Sequence, residues 1–146
     1  MAKTALVTGF EAYGGRALNP SAALALALDG TEIGGRRVVG RIWPVAFAGL
    51  GQRLEAALDE VQPALVIALG LCPGEPMIRL ERFGVNLADF ESADNAGDQL
   101  KDALIAGDGA TARAATLPLR AIQRALLDAG IPARLSNTAE IGRAHV

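Results

Sequence analysis

Thiol and imidazole side chains are almost absent from this sequence. Its 146 residues contain one cysteine, Cys72, and one histidine, His145. A single cysteine excludes a disulfide within the chain and is typical of proteins of a reducing compartment. A transition-metal site needs clustered histidine, cysteine or carboxylate ligands, and these two residues lie far apart in the sequence. We therefore expect a cytoplasmic protein that holds no transition metal.

Aromatic residues, long apolar runs and basic clusters are scarce as well. Aromatic residues make up 4% of the chain, so alanine and the aliphatic residues must form the core. No apolar stretch approaches the ~20 residues of a membrane-spanning helix. Charges of both signs are mixed to a net charge of -2, which offers no basic patch to nucleic acid or to a membrane. With 51% apolar residues, the composition indicates one globular domain.

Short β-rich runs alternate with helical patterns along the chain. Thr4 to Thr8 predicts a first strand, and Asn19-Pro20 predicts a helix start, because asparagine caps helices and proline fits their first turn. The same criteria predict strands at 37–45, 64–71, 77–87 and 131–136, helices at 47–61 and after 116–118, and an irregular segment at 91–109. This alternation favours an α/β fold, a largely parallel sheet with helices on both faces. The strand at 64–71 is continuously apolar, which predicts burial on both of its faces.

The glycine-rich loop VTGFEAYGG, residues 7–15, follows the first predicted strand. A dinucleotide-binding loop of the TGxxxGxG type needs glycine at position 13, where this chain has Tyr13. The acidic residue expected at the end of the next strand is missing too, and the sequence has no Walker-type glycine-lysine pair. The residues alone therefore favour a tight turn after the strand over a phosphate-binding loop.

Three further sets of residues are candidates for chemistry. Cys72 follows the most apolar strand, where α/β enzymes place reactive groups, although a lone cysteine is more often a small buried hydrophobe. Glu81 lies beside Arg79 and Arg82, where composition alone indicates an exposed carboxylate among cations. The acidic residues of the irregular segment could hold a hard cation, but a solvated loop explains them better: Asp89, Asp94 and Asp98.

Several motifs occur together in a fixed order. They are TGFEAYGG at 8–15, Asn19-Pro20, GLCPG at 70–74, Glu81-Arg82, Val85-Asn86, Asp94-Asn95 with Gly97, TLP at 116–118 and GIPARLSNTA at 130–139. This set resembles the pyroglutamyl peptidases I (pyrrolidone-carboxylate peptidases), cysteine peptidases that remove N-terminal pyroglutamate. Order and spacing agree with the family from position 5 to position 139.

The resemblance implies an α/β/α sandwich and a Glu–Cys–His site, in which a thiolate attacks the carbonyl group of the pyroglutamyl residue. A thiol needs a base to become a thiolate, and that base needs a carboxylate to orient it. Glu81 matches the family's carboxylate. Phe10 and Tyr13 match the two aromatic residues that sandwich the pyrrolidone ring, with tyrosine in place of the usual phenylalanine. Cys72 falls where the family needs no thiol.

The chain also departs from the family pattern. The family often has an arginine near the developing oxyanion where this chain has Glu91, and an aromatic pair where it has Arg113 and Ala114. The catalytic cysteine of the family falls at Ala144, and its catalytic histidine comes later. We therefore expect residues 1–139 to be the N-terminal two-thirds of a single peptidase domain, lacking nucleophile and base and catalytically inactive.

The last seven residues, EIGRAHV, do not follow the family. Residues 141–146 match the translation of a widely used sequencing adapter, ATC GGA AGA GCA CAC GTC. The codon of Glu140 would combine one base of the gene, G, with the adapter's first two bases, A and G, and the family has glycine here, whose codons begin with G. We predict that residues 140–146 are a non-native tail from adapter read-through. The histidine within it, His145, is then not the catalytic base.

Three interpretations of function stay open at this point. The leading one is a cysteine-type omega peptidase that acts on N-terminal pyroglutamyl peptides, needs no cofactor or metal, and could form homo-oligomers when full length. A second is a non-catalytic relative that keeps the ring pocket of Phe10 and Tyr13. A third is another hydrolase or phosphorylase of the same sandwich fold, although the chain lacks a basic cluster that would gather phosphate.

Overall fold

The computed structural model describes residues 3–137, which divide into two compact units. The first unit holds residues 3–71 and 93–98, and the second holds residues 72–92 and 99–137. The predictions for Glu140, Ala144, His145 and the tail as a whole lie outside the described residues. In the described part of the chain, each helix is too short or too polar to cross a membrane.

The first unit is built on a four-stranded sheet. Its elements are β1 (Lys3–Phe10), α1 (Pro20–Leu28), β2 (Glu32–Ile33), β3 (Arg36–Trp43), α2 (Leu50–Val61) and β4 (Leu65–Ala68). The strands lie in the order β2-β3-β1-β4, and β1 runs parallel to both of its neighbours. Only the short β2, which the sequence did not predict, is antiparallel. The predicted α/β fold with a mostly parallel sheet is confirmed.

Helices cover both faces of this sheet, and two consecutive residues of β1 pack against them on opposite sides. Leu6 and Val7 point to opposite faces, since neighbouring side chains alternate along a strand. Leu6 packs in a cluster with Trp43 and with Ala57 of α2, whereas Val7 packs with Val38 and with Ala25 of α1. The core is therefore formed by small aliphatic residues with one tryptophan, as the low aromatic content predicts.

Helix α1 lies unusually close to the sheet, and two glycines allow this approach. A Cβ atom at Gly9 would lie 2.2 Å from the carbonyl oxygen of Ser21, and one at Gly40 would lie 2.2 Å from that of Ala25. Any larger residue would therefore force the helix away from β1 or β3. The glycine of the TGF motif is thus required by packing between strand and helix.

The second unit contains two small sheets and one helix. Strand β5 (Ile78–Glu81) pairs in parallel with β8 (Ala133–Ser136), and β6 (Phe83–Val85) pairs with β7 (Ala112–Ala114) in the antiparallel sense. Helix α3 spans Leu119–Asp128. The prediction of a single strand at 77–87 is therefore wrong, because the chain leaves one sheet and enters the other at Arg82. The segment 91–109, all of it described, is irregular as predicted.

Two further predictions need correction. Strand β4 was expected to be buried on both faces, but its side chains alternate between half-buried and exposed, and Val66 is 37% exposed. Continuous apolarity did not imply burial here, because β4 lies at the end of the described strand order. Helix α2 was expected from position 47 but begins at Leu50, because Gly49 adopts a left-handed conformation with φ of 79°.

Candidate active site

The loop after β1 is fixed at both ends by a buried asparagine and a buried serine. Phe10 donates its backbone N–H to Oγ of Ser21 at 2.9 Å. Asn19 caps α1, accepting from the N–H of Ser21 at 3.0 Å, and its Nδ2 donates to the carbonyl oxygen of Glu11 at 3.0 Å. The predicted Asn-Pro helix start is confirmed, and the cap also holds the preceding loop.

Phe10 and Tyr13, the predicted ring-binding residues, both lie on this loop of the first unit. Phe10 is half-buried and packs against the cluster that contains Leu6 and Trp43. The Tyr13 hydroxyl group donates to the carbonyl oxygen of Leu71 at 2.7 Å, and the guanidinium carbon of Arg16 lies 5.7 Å from the centre of its ring. The hydroxyl group that distinguishes this chain from the usual phenylalanine therefore anchors the loop.

Asn95 ties the same loop to the exit of β3. Its Nδ2 donates to Oε1 of Glu11 at 3.0 Å and to the carbonyl oxygen of Ala12 at 2.9 Å, while its backbone N–H donates to Val45 at 2.8 Å. Oε1 of Glu11 also accepts from the N–H of Val45 at 3.0 Å. In the sequence, Asp94-Asn95 is only a family motif. In the structure, Asn95 clamps the loop through its hydrogen bonds to Glu11 and Ala12.

Asp94 is buried, at 7% exposure, and this contradicts the solvated loop expected for it. Its Oδ2 accepts from the N–H of Phe47 at 2.8 Å, and its Oδ1 accepts from those of Ala96 and Asp98 at 2.9 and 3.0 Å. Burial alone would raise the pKa of Asp94, but these backbone donors and that of Gly97 hold its pKa below the ordinary value. Among the described residues, no group of three or more acidic, His or Cys side chains is placed to hold a metal ion.

The lowered pKa predicts a pH-dependent role for Asp94 in stability. Its folded-state pKa lies below 3.8, so the stabilisation is complete above that pH and is lost as the pH falls through the folded-state value. We expect Asp94→Asn to lower the free energy of unfolding by about 2 kcal/mol at pH 7, because an amide cannot accept all of these hydrogen bonds. Urea denaturation at several pH values measures the difference.

A matched control comes from the same turn. The side chain of Asp98 is exposed, so Asp98→Asn should change the free energy of unfolding little. The gap between wild type and Asp94→Asn should narrow below pH 3.8, as the pH falls through the lowered pKa of Asp94 and the wild-type carboxylate becomes protonated. If the free energies of unfolding of wild type and Asp94→Asn differed equally at pH 7 and in acid, the charge of Asp94 would not be the source of the stabilisation.

Glu81, the predicted catalytic carboxylate, lies at the end of β5 in the second unit. Its side chain is 34% exposed, and Oε1 forms an ion pair with Nε of Arg79 at 3.1 Å. Its second oxygen, Oε2, is buried and has no hydrogen-bond partner among residues 3–137. The prediction of an exposed carboxylate is therefore wrong in one respect: one of the two oxygens, Oε2, is buried.

Arg79 was noted in the sequence only as a neighbour of Glu81, and no role was predicted for it. Its side chain is 9% exposed, its Nη2 donates to Oγ of Ser136 at 2.9 Å, and its Nη1 donates to the half-buried thiol of Cys72 at 4.0 Å. The signal was present in the spacing, because residues two apart in a strand share a face. Arg82 instead donates to Oδ1 of Asn137 at 3.2 Å.

The three described residues that depart from the family pattern are all exposed. Glu91 is exposed, and its carbonyl oxygen accepts from Nε2 of Gln99 at 2.8 Å. Arg113 and Ala114 are exposed residues of β7, and Arg113 forms an ion pair with Asp108.

Comparison with known proteins gives one consistent result. The family model described as pyroglutamyl peptidase matches residues 3–142. The pyrrolidone-carboxylate peptidase of Pyrococcus furiosus is 42% identical over 134 residues, which cover 92% of this chain and 64% of the relative. Pyrrolidone-carboxylate peptidase 2 of Photorhabdus laumondii is 45% identical, over 94% of this chain and 63% of the relative.

Solved structures agree with the sequence relatives. A crystal structure of a mutant (A199P) pyrrolidone carboxyl peptidase from P. furiosus superposes with a TM-score of 0.92 at 41% identity, covering 95% of this chain and 67% of that one. This similarity confirms the predicted α/β fold. The chain spans less than two thirds of the length of the curated relatives named above. The predicted resemblance is confirmed, and the chain belongs to the pyroglutamyl peptidase family.

Proposed function

We propose that the protein, in its full-length form, is a cysteine-type omega peptidase that removes N-terminal pyroglutamate from peptides in the cytoplasm and needs no cofactor. The name of the family and the names of the relatives support this proposal. The observation that carries it is the buried Oε2 of Glu81, which has no hydrogen-bond partner among the described residues. A buried carboxylate oxygen is costly unless a donor reaches it, and an imidazole N–H is such a donor.

Glu81 would orient the histidine that takes the proton of the nucleophilic thiol. Oε2 would accept the N–H of one ring nitrogen, which fixes the tautomer and leaves the other nitrogen free to accept that proton. The same carboxylate stabilises the imidazolium that forms. The thiolate then attacks the pyroglutamyl carbonyl group, the amine of the next residue leaves with a proton, and water releases pyroglutamate from the thioester.

Phe10 and Tyr13 would bind the pyrrolidone ring between their flat faces. Stacking needs rings held in a fixed orientation, and the Tyr13 hydroxyl group meets this need through its bond to Leu71. The clamp from Asn95 to Glu11 and Ala12 restrains the backbone between the two rings. A rigid pocket lowers the entropy lost on binding and thereby strengthens the binding of a small ligand.

We further propose that residues 1–139 are the N-terminal two-thirds of one peptidase domain and that 140–146 are a non-native tail. The nucleophile and base then lie in the part of the domain that follows, and the chain of 146 residues is inactive by itself. Reading the gene beyond codon 139 tests this directly. We expect glycine at 140, cysteine at 144 and a later histidine in the gene. The adapter string in the DNA that encodes residues 140–146 would support the non-native tail, and different codons there would refute it.

The activity assay compares the full-length protein with residues 1–146. We expect the full-length protein to hydrolyse a fluorogenic pyroglutamyl amide but not its prolyl analogue, which lacks the ring carbonyl group, and to be inactivated by thiol alkylation. Residues 1–146 should show no hydrolysis above background. Replacing Cys72 with serine in the full-length protein is the matched control: the serine hydroxyl oxygen can still accept from Arg79, so most of the activity should remain.

Each result of this assay has a defined meaning. Hydrolysis by residues 1–146 would contradict the inactivity of the fragment. A full-length protein that binds pyroglutamate in calorimetry without turnover would be the non-catalytic relative. A full-length protein that neither binds nor hydrolyses would overturn the proposed function. Complete loss of activity in a folded Cys72→Ser variant would mean that Cys72, and not the later cysteine, is the nucleophile.

A further inference from the structure

The most unusual charged group of the second unit is the guanidinium group of Arg79. Its side chain is 9% exposed, although arginine is rarely buried unless its charge is paired. Among the described residues, its neighbours include Glu81 at 3.1 Å, Ser136 at 2.9 Å and Cys72 at 4.0 Å. These partners come from β5, from β8 and from the turn before β5, so the group is held from three sides.

This arrangement determines how the carboxylate of Glu81 can turn. Residues 79 and 81 lie on the same face of β5, and Nε of Arg79 lies 3.1 Å from Oε1 of the carboxylate as an ion pair, without the geometry of a hydrogen bond. With one oxygen held, rotation about the last side-chain bond is restricted. The other oxygen, Oε2, is then kept in its buried position without a partner among the described residues.

Ser136 restrains the guanidinium group in turn. Glu81 and Ser136 are directly opposite each other in the parallel register of β5 and β8, and Arg79 bridges both side chains. A guanidinium group can do this because its donors are fixed in one plane and point in different directions. The ammonium group of lysine is a single point charge and cannot reach all three partners at once.

We infer that Arg79 is a positioning residue, which holds Oε1 of Glu81 so that Oε2 is presented to the catalytic base. The inference rests on the proposed function, because it assigns Arg79 a role in the same site. Arg79 touches neither substrate nor reacting atoms in this role and acts only through Glu81. Its removal should therefore impair turnover and leave substrate binding by Phe10 and Tyr13 almost unchanged.

The test is a double-mutant cycle in the full-length protein with a pyroglutamyl amide substrate. We expect Arg79→Met to lower kcat by about 100-fold and Arg79→Lys by about 10-fold, the range typical of groups that orient a functional ligand. KM should stay within about twofold. In the Glu81→Gln background, Arg79→Met should lower kcat by less than about threefold, because the two residues act as one unit.

The cycle also guards against a variant that fails to fold. Arg79→Met leaves the charge of Glu81 buried and unpaired, whereas the double variant removes both charges and avoids this problem. Arg134 pairs with Glu75 at 2.6 Å in the same unit but is largely exposed, so Arg134→Met is the matched control and should keep full activity. Thermal melting of every variant separates loss of turnover from loss of fold.

Three results would overturn the inference. Additive losses of kcat for Arg79→Met and Glu81→Gln would show that Arg79 does not act through Glu81. A wild-type kcat in a folded Arg79→Lys or Arg79→Met variant would show that no positioning is needed. A full-length wild type without activity would overturn the proposed function, and with it this inference, whereas an active wild type with an unaffected Arg79 variant overturns the inference alone.

Discussion

Replacing Glu81 with glutamine in the full-length protein is expected to lower kcat by about 10³- to 10⁴-fold, with KM nearly unchanged. Glutamine keeps the size of the side chain but removes the charge that stabilises an imidazolium. Its amide also presents a donor to the base wherever its nitrogen replaces Oε2, which favours the wrong tautomer. Steady-state kinetics on a pyroglutamyl amide measure both constants.

Glu75 offers the control for this substitution. It lies in the same unit and also pairs with an arginine, Arg134, at 2.6 Å. Glu75→Gln removes the same charge from a residue whose main partner is Arg134 and on which Arg79 acts only weakly, so its kcat should stay within about twofold of the wild type. Equal losses for the two variants would mean that Glu81 contributes only to the general charge of this unit. A rise in KM without a fall in kcat would place Glu81 in substrate binding instead.

Replacing Gly9 with alanine is expected to lower the free energy of unfolding by at least about 3 kcal/mol. The new Cβ atom would lie 2.2 Å from the carbonyl oxygen and 2.4 Å from the carbonyl carbon of Ser21, both backbone atoms of α1 that cannot rotate away. The helix or the strand must therefore shift. Since Ser21 also accepts the N–H of Phe10, the ring-bearing loop would shift with it.

Chemical denaturation of wild type, Gly9→Ala and Gly84→Ala measures this effect. Gly84 is also a strand glycine, but a Cβ atom there would meet nothing within 4 Å, so its replacement should change stability by less than about 1 kcal/mol. A stable Gly9→Ala protein with an unchanged denaturation midpoint would contradict the close contact between β1 and α1. Equal losses in both variants would point to a general intolerance of strand alanines.

The alternation of strand and helix patterns predicted most of the first unit for a clear physical reason. Asn19-Pro20 has a local role in helix initiation, and the apolar spacing of β1 and α2 is set by which face each element buries. Patterns of this kind do not depend on distant residues. The wrong predictions concern features that do depend on distant residues. The exposure of β4 is set by its place in the strand order. The strand predicted at 77–87 is broken because the chain changes from one sheet to another at Arg82.

In the candidate site, too, some features were predictable from the sequence and others depend on distant residues. Glu81, Phe10 and Tyr13 were predicted only through the ordered family motifs, because a carboxylate or an aromatic side chain has no local signature of function. The pairing of Arg79 with Glu81 follows from their two-residue spacing, but its burial does not. The burial of Asp94 depends on the N–H of Phe47, which lies 47 residues earlier in the chain, and no local pattern reports such a contact.

The bonds from Asn95 to Glu11 and Ala12 have a consequence for the synthesis of the protein. They join residues 84 and 83 positions apart, so the loop that carries both rings is completed by a segment made much later. During translation β1 and α1 emerge first and can pair locally, but the loop between them stays without this restraint until Asn95 has left the ribosome. Contacts of such long sequence separation form late because the closure of a long loop carries an entropic cost. The ring-bearing loop is thus an early part of the chain that reaches its final shape late in folding.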